Sequence, residues 1–436
     1  MFINKNYPLF FLEISIYFLP LSFLIGTLIV NINLLIFIFL AITYLILNKI
    51  KVNFNLSNLS LFTFYIIFII SSYKNINQIG IENFLKSIFL LKYFLLYILF
   101  ETLFNHRKLN LKYFFNICLI LSILLSLDLA LQFFYGKNIL GYEPWEGRIT
   151  GIFKDEAIAG SYIQKVFALS LVGLFNLFYP LNKKNALITS TALFIIIFGS
   201  YIASNRISFF ILISFFLSLI FFHKVFRKNL ALVFILLLPI FVGLYQNNEE
   251  IKKKYHGFFL KSKSIILNIK NIVPSQSEIN NNLVEKNTSP SKIKRITNHE
   301  KLFITGLKSF EESMILGNGY KSFRFKCQIL SKKSDKFLCS THTHNYHLEV
   351  LHDTGLLGFI FLSIFAFSLL VRLFNKIKTK SLDYNSKIIL SLLIINFLFI
   401  IFPLKSTGSL FTSWNGTLLW LTVALLNYEN QKTKTK

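Results

Sequence analysis

Twelve apolar runs alternate with polar connections along the chain, at approximately 9–30, 34–47, 56–73, 84–104, 113–135, 162–180, 186–203, 207–222, 230–245, 355–374, 388–404 and 411–428. Most approach the ~20 residues that a helix needs to cross ~30 Å of hydrocarbon. Lipid offers no partner to a bare N–H or C=O, so such segments must be helices. The second and eighth runs are short, and the fourth carries Lys86 and Lys92. The expectation is an all-α polytopic membrane protein of about twelve transmembrane helices. Composition agrees: of 436 residues 54% are hydrophobic and 51 are Phe, more apolar surface than a soluble domain can bury. The segment Met1–Tyr7 is short and polar, and the first run lacks a small-residue cleavage site, so no cleavable signal is expected.

Lysine and arginine set the expected orientation. Alternate connections carry Lys49 and Lys51; Arg107, Lys108 and Lys112; Lys183 and Lys184; Lys224, Arg227 and Lys228; and Arg372 to Lys387. The tail adds Lys432, Lys434 and Lys436, while the short intervening connections are almost free of them. By the positive-inside rule both termini are cytoplasmic. The layout is then nine helices over 1–245 with an outer loop at 136–161, a large outer loop over 246–346, three helices over 347–428 and a cytoplasmic tail at 429–436. Within the large loop, Val273–Lys294 is rich in Asn, Ser and Pro, the signature of a mobile stretch. Leu302, Phe303, Leu307, Phe310 and Met314 then recur at helical spacing, which predicts an amphipathic helix over about 299–314. The net charge of +26 is largely topogenic, and no basic soluble domain is present to bind nucleic acid. The excess of cations in the outer loop suits anionic lipid or polyphosphate partners.

Few residues could carry chemistry, and they gather at the outer face. His342, His344, His347 and His352 fall within eleven residues, immediately before an apolar run. His342 and His344 in extended chain put both rings on one side, as metal ligands would, but no carboxylate or cysteine completes a ligand set. A single unliganded histidine titrating near neutrality is the commoner catalytic use. Asn345 after it can cap the coming helix, and Gly355 and Gly358 permit close packing at membrane entry. Arg206 sits in a tight outer turn at Ser204–Arg206. A guanidinium near hydrocarbon costs about 2.5–3.5 kcal/mol at mid-membrane and less at the interface, and its fork suits phosphate. Arg148 lies in the first outer loop, followed by Asp155 and Glu156, which could orient a sugar or pair with an arginine. Arg324 lies just before Cys327. Cys327 and Cys339 are expected to pair, since the outer compartment permits disulfides and the closed loop is worth about 3 kcal/mol. Cys118 lies within an apolar run and is expected to be a packing residue.

These residues, taken together, resemble the O-antigen ligase and polymerase superfamily. His344-Asn345, nine residues, then Gly355-Leu356-Leu357-Gly358 is similar to the histidine motif of that group. The stretch from Gly147 to Glu156, the turn at Ser204–Arg206, and Phe402-Pro403, Gly408-Ser409 and Trp414 are collinear with it. The resemblance spans roughly residues 140–428. It departs at Phe359, where ligases often carry a small residue or Tyr, and Arg295 and Arg324 compete for the second arginine of the pattern. The resemblance implies a metal-independent glycosyltransferase of the bacterial inner membrane, without a cofactor. Its donor would be an undecaprenyl-pyrophosphate-linked glycan and its acceptor a glycolipid, lipid A-core for a ligase or another lipid-linked repeat unit for a polymerase. His344 would then be the general base, with Arg206, Arg148 or Arg324 holding the pyrophosphate and Glu156 and Asn345 close to the glycan.

Two other readings compete. A repeat-unit polymerase relies on arginines rather than on a histidine segment. A transporter or flippase needs ionisable groups at mid-membrane, for which Asp128, Lys86 and Lys92 are the few candidates. The composition fits monomer and dimer alike.

Overall fold

The computed structural model describes residues 7–106, 108–179, 182–203, 205–222, 224–257, 298–378, 383–403 and 405–428, without the side chains of 222 and 224–226. Ser204, Arg295 and the stretch 273–294 lie outside them. Nine helices among the described residues are long and apolar enough to cross a membrane. Two apolar helices are shorter, Arg206–Phe222 and Tyr384–Ile400, and the last, Ser413–Leu425, has 13 residues. Their outward faces are apolar: Leu28, Phe39 and Ile46 on the helix Thr27–Leu47 are about 70% exposed. That surface is untenable in water and ordinary in hydrocarbon. The chain is an all-α polytopic membrane protein.

Three helix boundaries differ from the hydrophobic pattern. The first helix ends at Ile25 and the second starts at Thr27, because Gly26 takes φ 146°, ψ 170°. Asn31 and Asn33, which mark a break in the sequence, sit inside the second helix. Asn33 donates to Ser15 O at 3.0 Å, and Asn31 accepts from Lys92 Nζ at 2.6 Å. The fourth run is two helices, Ile81–Phe89 and Leu91–Asn105. The tenth helix begins at Tyr346, well before the apolar run, and breaks at Gly355 (φ 66°, ψ −170°) before continuing to Lys378.

The chain forms two compact units. The first comprises Met1–Ser122, Lys165–Asn185 and Thr297–Lys436; the second comprises Ile123–Gln164 and Ala186–Ile296. In the first, the helix Leu56–Lys74 packs along Tyr346–Lys378, and Leu91–Asn105 along Ser413–Leu425. Aromatic rings fill the seam: Phe68 lies 4.6 Å from Phe411, and Tyr97 lies 5.1 Å edge-on from Phe365. Arg372 Nη1 meets Glu101 at 2.6 Å, and Nη2 meets Tyr97 and Asn427 at 3.0 Å, so that membrane charge is paired. In the second unit, Gly199 lets its helix approach Ser126, whose Cβ would lie 2.5 Å from an added methyl. Tyr201 stacks on Phe241 at 4.2 Å and on Tyr255 at 5.0 Å.

Outside the membrane helices of the first unit, a helix covers Asn298–Phe310 and a second covers Phe323–Ser331. A disulfide joins Cys327 to Cys339, and Leu302, Phe323 and Leu338 pack around it.

Candidate functional site

The histidine segment of the first unit is held by its backbone and by polar side chains that reach the connection 401–412. His344 takes φ 56°, a left-handed conformation that a side chain with a Cβ rarely adopts. Its carbonyl accepts from Thr407 N at 2.8 Å. The next residue, Asn345, caps the helix: its Oδ1 accepts from His347 N at 3.0 Å and Leu348 N at 3.1 Å. Its amide nitrogen donates to Pro403 O at 2.6 Å and Lys405 O at 3.4 Å. Both ends of Asn345 are thus engaged inside the fold, a holding role. Glu349, one turn on, accepts from Ser409 Oγ at 2.5 Å and Leu410 N at 2.7 Å. The connection 401–412 is therefore clamped along the whole segment, since His347 Nε2 also reaches Ile401 O at 2.7 Å.

The glycines of the motif have a steric explanation. The loop Gly317-Asn318-Gly319 seats on the break at Gly355: Asn318 N donates to His352 O, Gly319 N to Asp353 O, and Leu356 N to Met314 O, at 2.7–3.0 Å. A Cβ on Gly355 would lie 2.2 Å from Ile315 O, and one on Gly358 2.2 Å from Thr354 Oγ1. Beneath this lies a Ser–His–Asp array, with Ser309 Oγ 2.8 Å from His352 Nε2 and His352 Nδ1 2.7 Å from Asp353. It has the hydrogen-bond order of a hydrolase triad, but Ser309 and His352 are wholly buried. It pins the helix Asn298–Phe310 to the histidine segment.

The His344 ring is half-buried and faces three groups. Its Nε2 lies 3.2 Å from Ser340 Oγ, and its ring centroid is 4.0 Å from that of His342 and 5.7 Å from that of His299. Burial lowers its pKa below the ordinary 6.5, repulsion from His299 lowers it further, and a contact with the Thr407 backbone opposes both. Burial, with repulsion from His344, pushes His342 down to about 4. Both shifts favour the neutral ring, the form that can accept a proton. Among the described residues no group of three or more His, Cys, Asp and Glu side chains could hold a metal ion. Arg324 stands at the start of the helix Phe323–Ser331; its Nε is buried without a hydrogen-bond partner among the described residues, and its charge is felt at His342.

The second unit gathers cations. Arg206, first residue of its helix, donates from Nη1 to Lys254 O at 3.1 Å. Lys254 Nζ in turn donates to the carbonyl of Gly147, the residue before Arg148, and lies 3.7 Å from Glu250. Burial first, with Arg148 and Arg206 adding repulsion, lowers the Lys254 pKa, while Glu250 opposes. Arg148 is exposed and stands 5.9 Å over the Trp145 ring. Its loop is anchored from the helix Lys112–Tyr135. Gln132 Oε1 accepts from Thr150 N at 2.8 Å and Gly151 N at 2.7 Å, and Asp128 accepts from Ile139 N at 2.9 Å. Glu156 is exposed at the end of that loop, and its backbone forms the turn into the next helix.

Residues 188–363 match the family model described as O-antigen ligase. That stretch is similar to O-antigen ligases. No curated protein matches the chain. The ligase match takes in Arg206, Lys254, Arg324, His344, Asn345, Gly355 and Gly358, and leaves the Arg148 loop and the clamp at 401–412 outside.

Sequence reasoning missed three residues in these clusters. Lys254 is one of a run, Lys252-Lys253-Lys254, and only the fold shows which lysine points at Gly147. Glu349 and Lys405 are single charges beside apolar runs. Lys405 is buried, donates to Phe399 O at 2.8 Å, and is lowered to about 7 by burial. Of the candidates for a transport path, Asp128 holds the Arg148 loop, Lys86 is exposed and paired with Glu82 at 3.3 Å, and Lys92 bonds Asn31.

Proposed function

We propose that the protein transfers a glycan from a polyprenyl pyrophosphate to an acceptor hydroxyl on a lipid, at the outer face of the bacterial inner membrane. The His344 ring carries this reading: it is a half-buried imidazole fixed by its own backbone, with a pKa below its ordinary value. His344 removes the proton from the acceptor hydroxyl as that oxygen attacks the anomeric carbon. The bond from the anomeric carbon to the pyrophosphate oxygen breaks, and the pyrophosphate leaves as an anion. Arg206 and Arg148, with Lys254, neutralise the charge that develops on it. General-base assistance is typically worth 10²–10⁴-fold and electrostatic stabilisation of a leaving group often more. Both termini are cytoplasmic in this reading, and undecaprenyl pyrophosphate is the donor lipid.

Ligation to lipid A-core is favoured over polymerisation of repeat units because the ligase family matches the segment that contains His344. Complementation tests it. In a host lacking surface-glycan attachment, the wild type should restore the glycolipid ladder, whereas His344→Ala and Arg206→Ala at equal membrane abundance should not. Lipid-linked glycan should accumulate in their place. A ladder as strong with His344→Ala would remove the base from the mechanism.

A further inference from the structure

Three cations of the first unit converge away from the clamp that holds His344. The helix Ile81–Phe89 is strongly amphipathic, and Ile81, Leu85, Ile88 and Phe89, at i, i+4, i+7 and i+8, form one exposed apolar face. Lys86 stands on this helix, more than half exposed. The helix follows the end of Leu56–Lys74, and that end receives the loop after Gly317. Asn75 Nδ2 donates to Gly317 O at 3.4 Å, and Ser72 Oγ accepts from Tyr320 N at 3.0 Å. Lys321 follows with φ 56°, its backbone N–H directed to Asp353 at 3.4 Å and its ammonium 5.0 Å from the Tyr320 ring centroid. Arg324 is three residues on.

The charges are poorly compensated. Burial lowers the Lys321 pKa, Arg324 and Lys86 add repulsion, and the buried Glu349 and Asp353 oppose it. Glu82 occupies Lys86, but neither Lys321 nor Arg324 forms an ion pair among the described residues. A half-buried guanidinium with an unpartnered Nε and an ammonium held among like charges favour a multivalent anion. The apolar face beside them favours an anion that carries hydrocarbon. Arg324 also acts electrostatically on His342, whose ring stacks on His344. The cluster of Arg206, Arg148 and Lys254 belongs to the other unit.

We propose that Lys86, Lys321 and Arg324 bind the phosphate of a phosphorylated glycolipid acceptor, with its acyl chains against Ile81, Leu85, Ile88 and Phe89. This rests on the transferase reading above and names the acceptor half of that reaction.

The test uses the full chain in vesicles of zwitterionic phospholipid, with polyprenyl-pyrophosphate glycan as donor and a glycolipid acceptor supplied with or without its phosphates. Lys321→Ala and, separately, the surface variant Lys86→Ala should raise the acceptor KM, the first by about tenfold, with kcat and donor KM little changed. Lys321→Arg should restore most of the loss. Removing the acceptor's phosphates should weaken the wild type more than it weakens Lys321→Ala. An unchanged acceptor KM, or an equal loss on both acceptors, overturns the proposal. So does an anionic phospholipid that competes with the acceptor as well as the glycolipid does. If the wild type transfers to neither acceptor, the transferase reading fails, and flotation of radiolabelled acceptor with wild-type and Lys321→Ala vesicles still decides the site. Weaker binding by the variant supports it, and equal binding overturns it.

Discussion

The histidine segment and the Arg148 loop both present chemistry at membrane entry, yet they are built in opposite ways. In the first, the motif residues are backbone devices: His344 at positive φ, Asn345 as a cap, Gly355 at positive φ and Gly358 against Thr354. In the second, the backbone is fixed at its base by Gln132 and Asp128, while Arg148, Asp155 and Glu156 project into solvent. A base must meet one hydroxyl at hydrogen-bond distance, and a rigid mount serves that. A phosphate-binding cation acts over several ångströms, and an exposed side chain on an anchored loop suffices.

The largest effect should come from breaking the rigid mount. Gly355→Ala places a methyl 2.2 Å from Ile315 O in a left-handed backbone, and should destabilise the protein by roughly 3 kcal/mol or more. Thermal unfolding in detergent, or abundance in the membrane, reads this; an unfolding temperature near wild type would mean the 314–319 loop is not held against Gly355. On the other side of the comparison, Gln132→Leu orphans the N–H groups of Thr150 and Gly151, at about 1–3 kcal/mol each. It should loosen the Arg148 loop and raise the donor KM more than the acceptor KM. Lys254→Ala keeps the fold and removes one cation, so donor KM should rise roughly five- to tenfold with unfolding little altered. If Lys254→Ala instead leaves donor KM unchanged while lowering stability, the lysine is only a tie to Gly147.

The smallest effect is a pH shift. His344 works as a base only when neutral, and its pKa lies below 6.5, so kcat/KM should be flat around neutrality and fall on the acid side below that value. His299→Ala removes a repelling neighbour and raises the His344 pKa, which moves the acid limb to higher pH. A limb that stays in place, or moves down, would separate His344 from the titration that limits the rate.

The contrast also explains what could be read from the sequence. Hydrocarbon dictates length and composition so strictly that the all-α membrane class is plain from the apolar runs. The histidine motif is readable for a related reason: a positive-φ break at Gly355 and a close approach at Gly358 admit almost no other residue. Boundaries were hidden where polar side chains are satisfied at long range. Asn33 reads as a loop residue until Ser15 O is seen to accept its hydrogen bond, and His347, Glu349, His352 and Asp353 conceal a helix because segments distant in sequence bond them. Lys254 was hidden because the lysine that reaches Gly147 looks like any other in a basic run. The amphipathic spacing before Gly317 corresponds to the helix Asn298–Phe310, which ends in a 3-10 turn at Glu311–Ser313.

The most direct measurement is single-turnover transfer by purified protein carrying His344→Gln, with donor binding and thermal unfolding measured on the same preparation. Glutamine retains hydrogen bonding without a titratable ring. The account expects transfer to fall by about 10²–10⁴-fold while donor affinity and unfolding temperature stay near wild type. Transfer within a few-fold of wild type, with the protein intact, would contradict the assignment of His344 as the base.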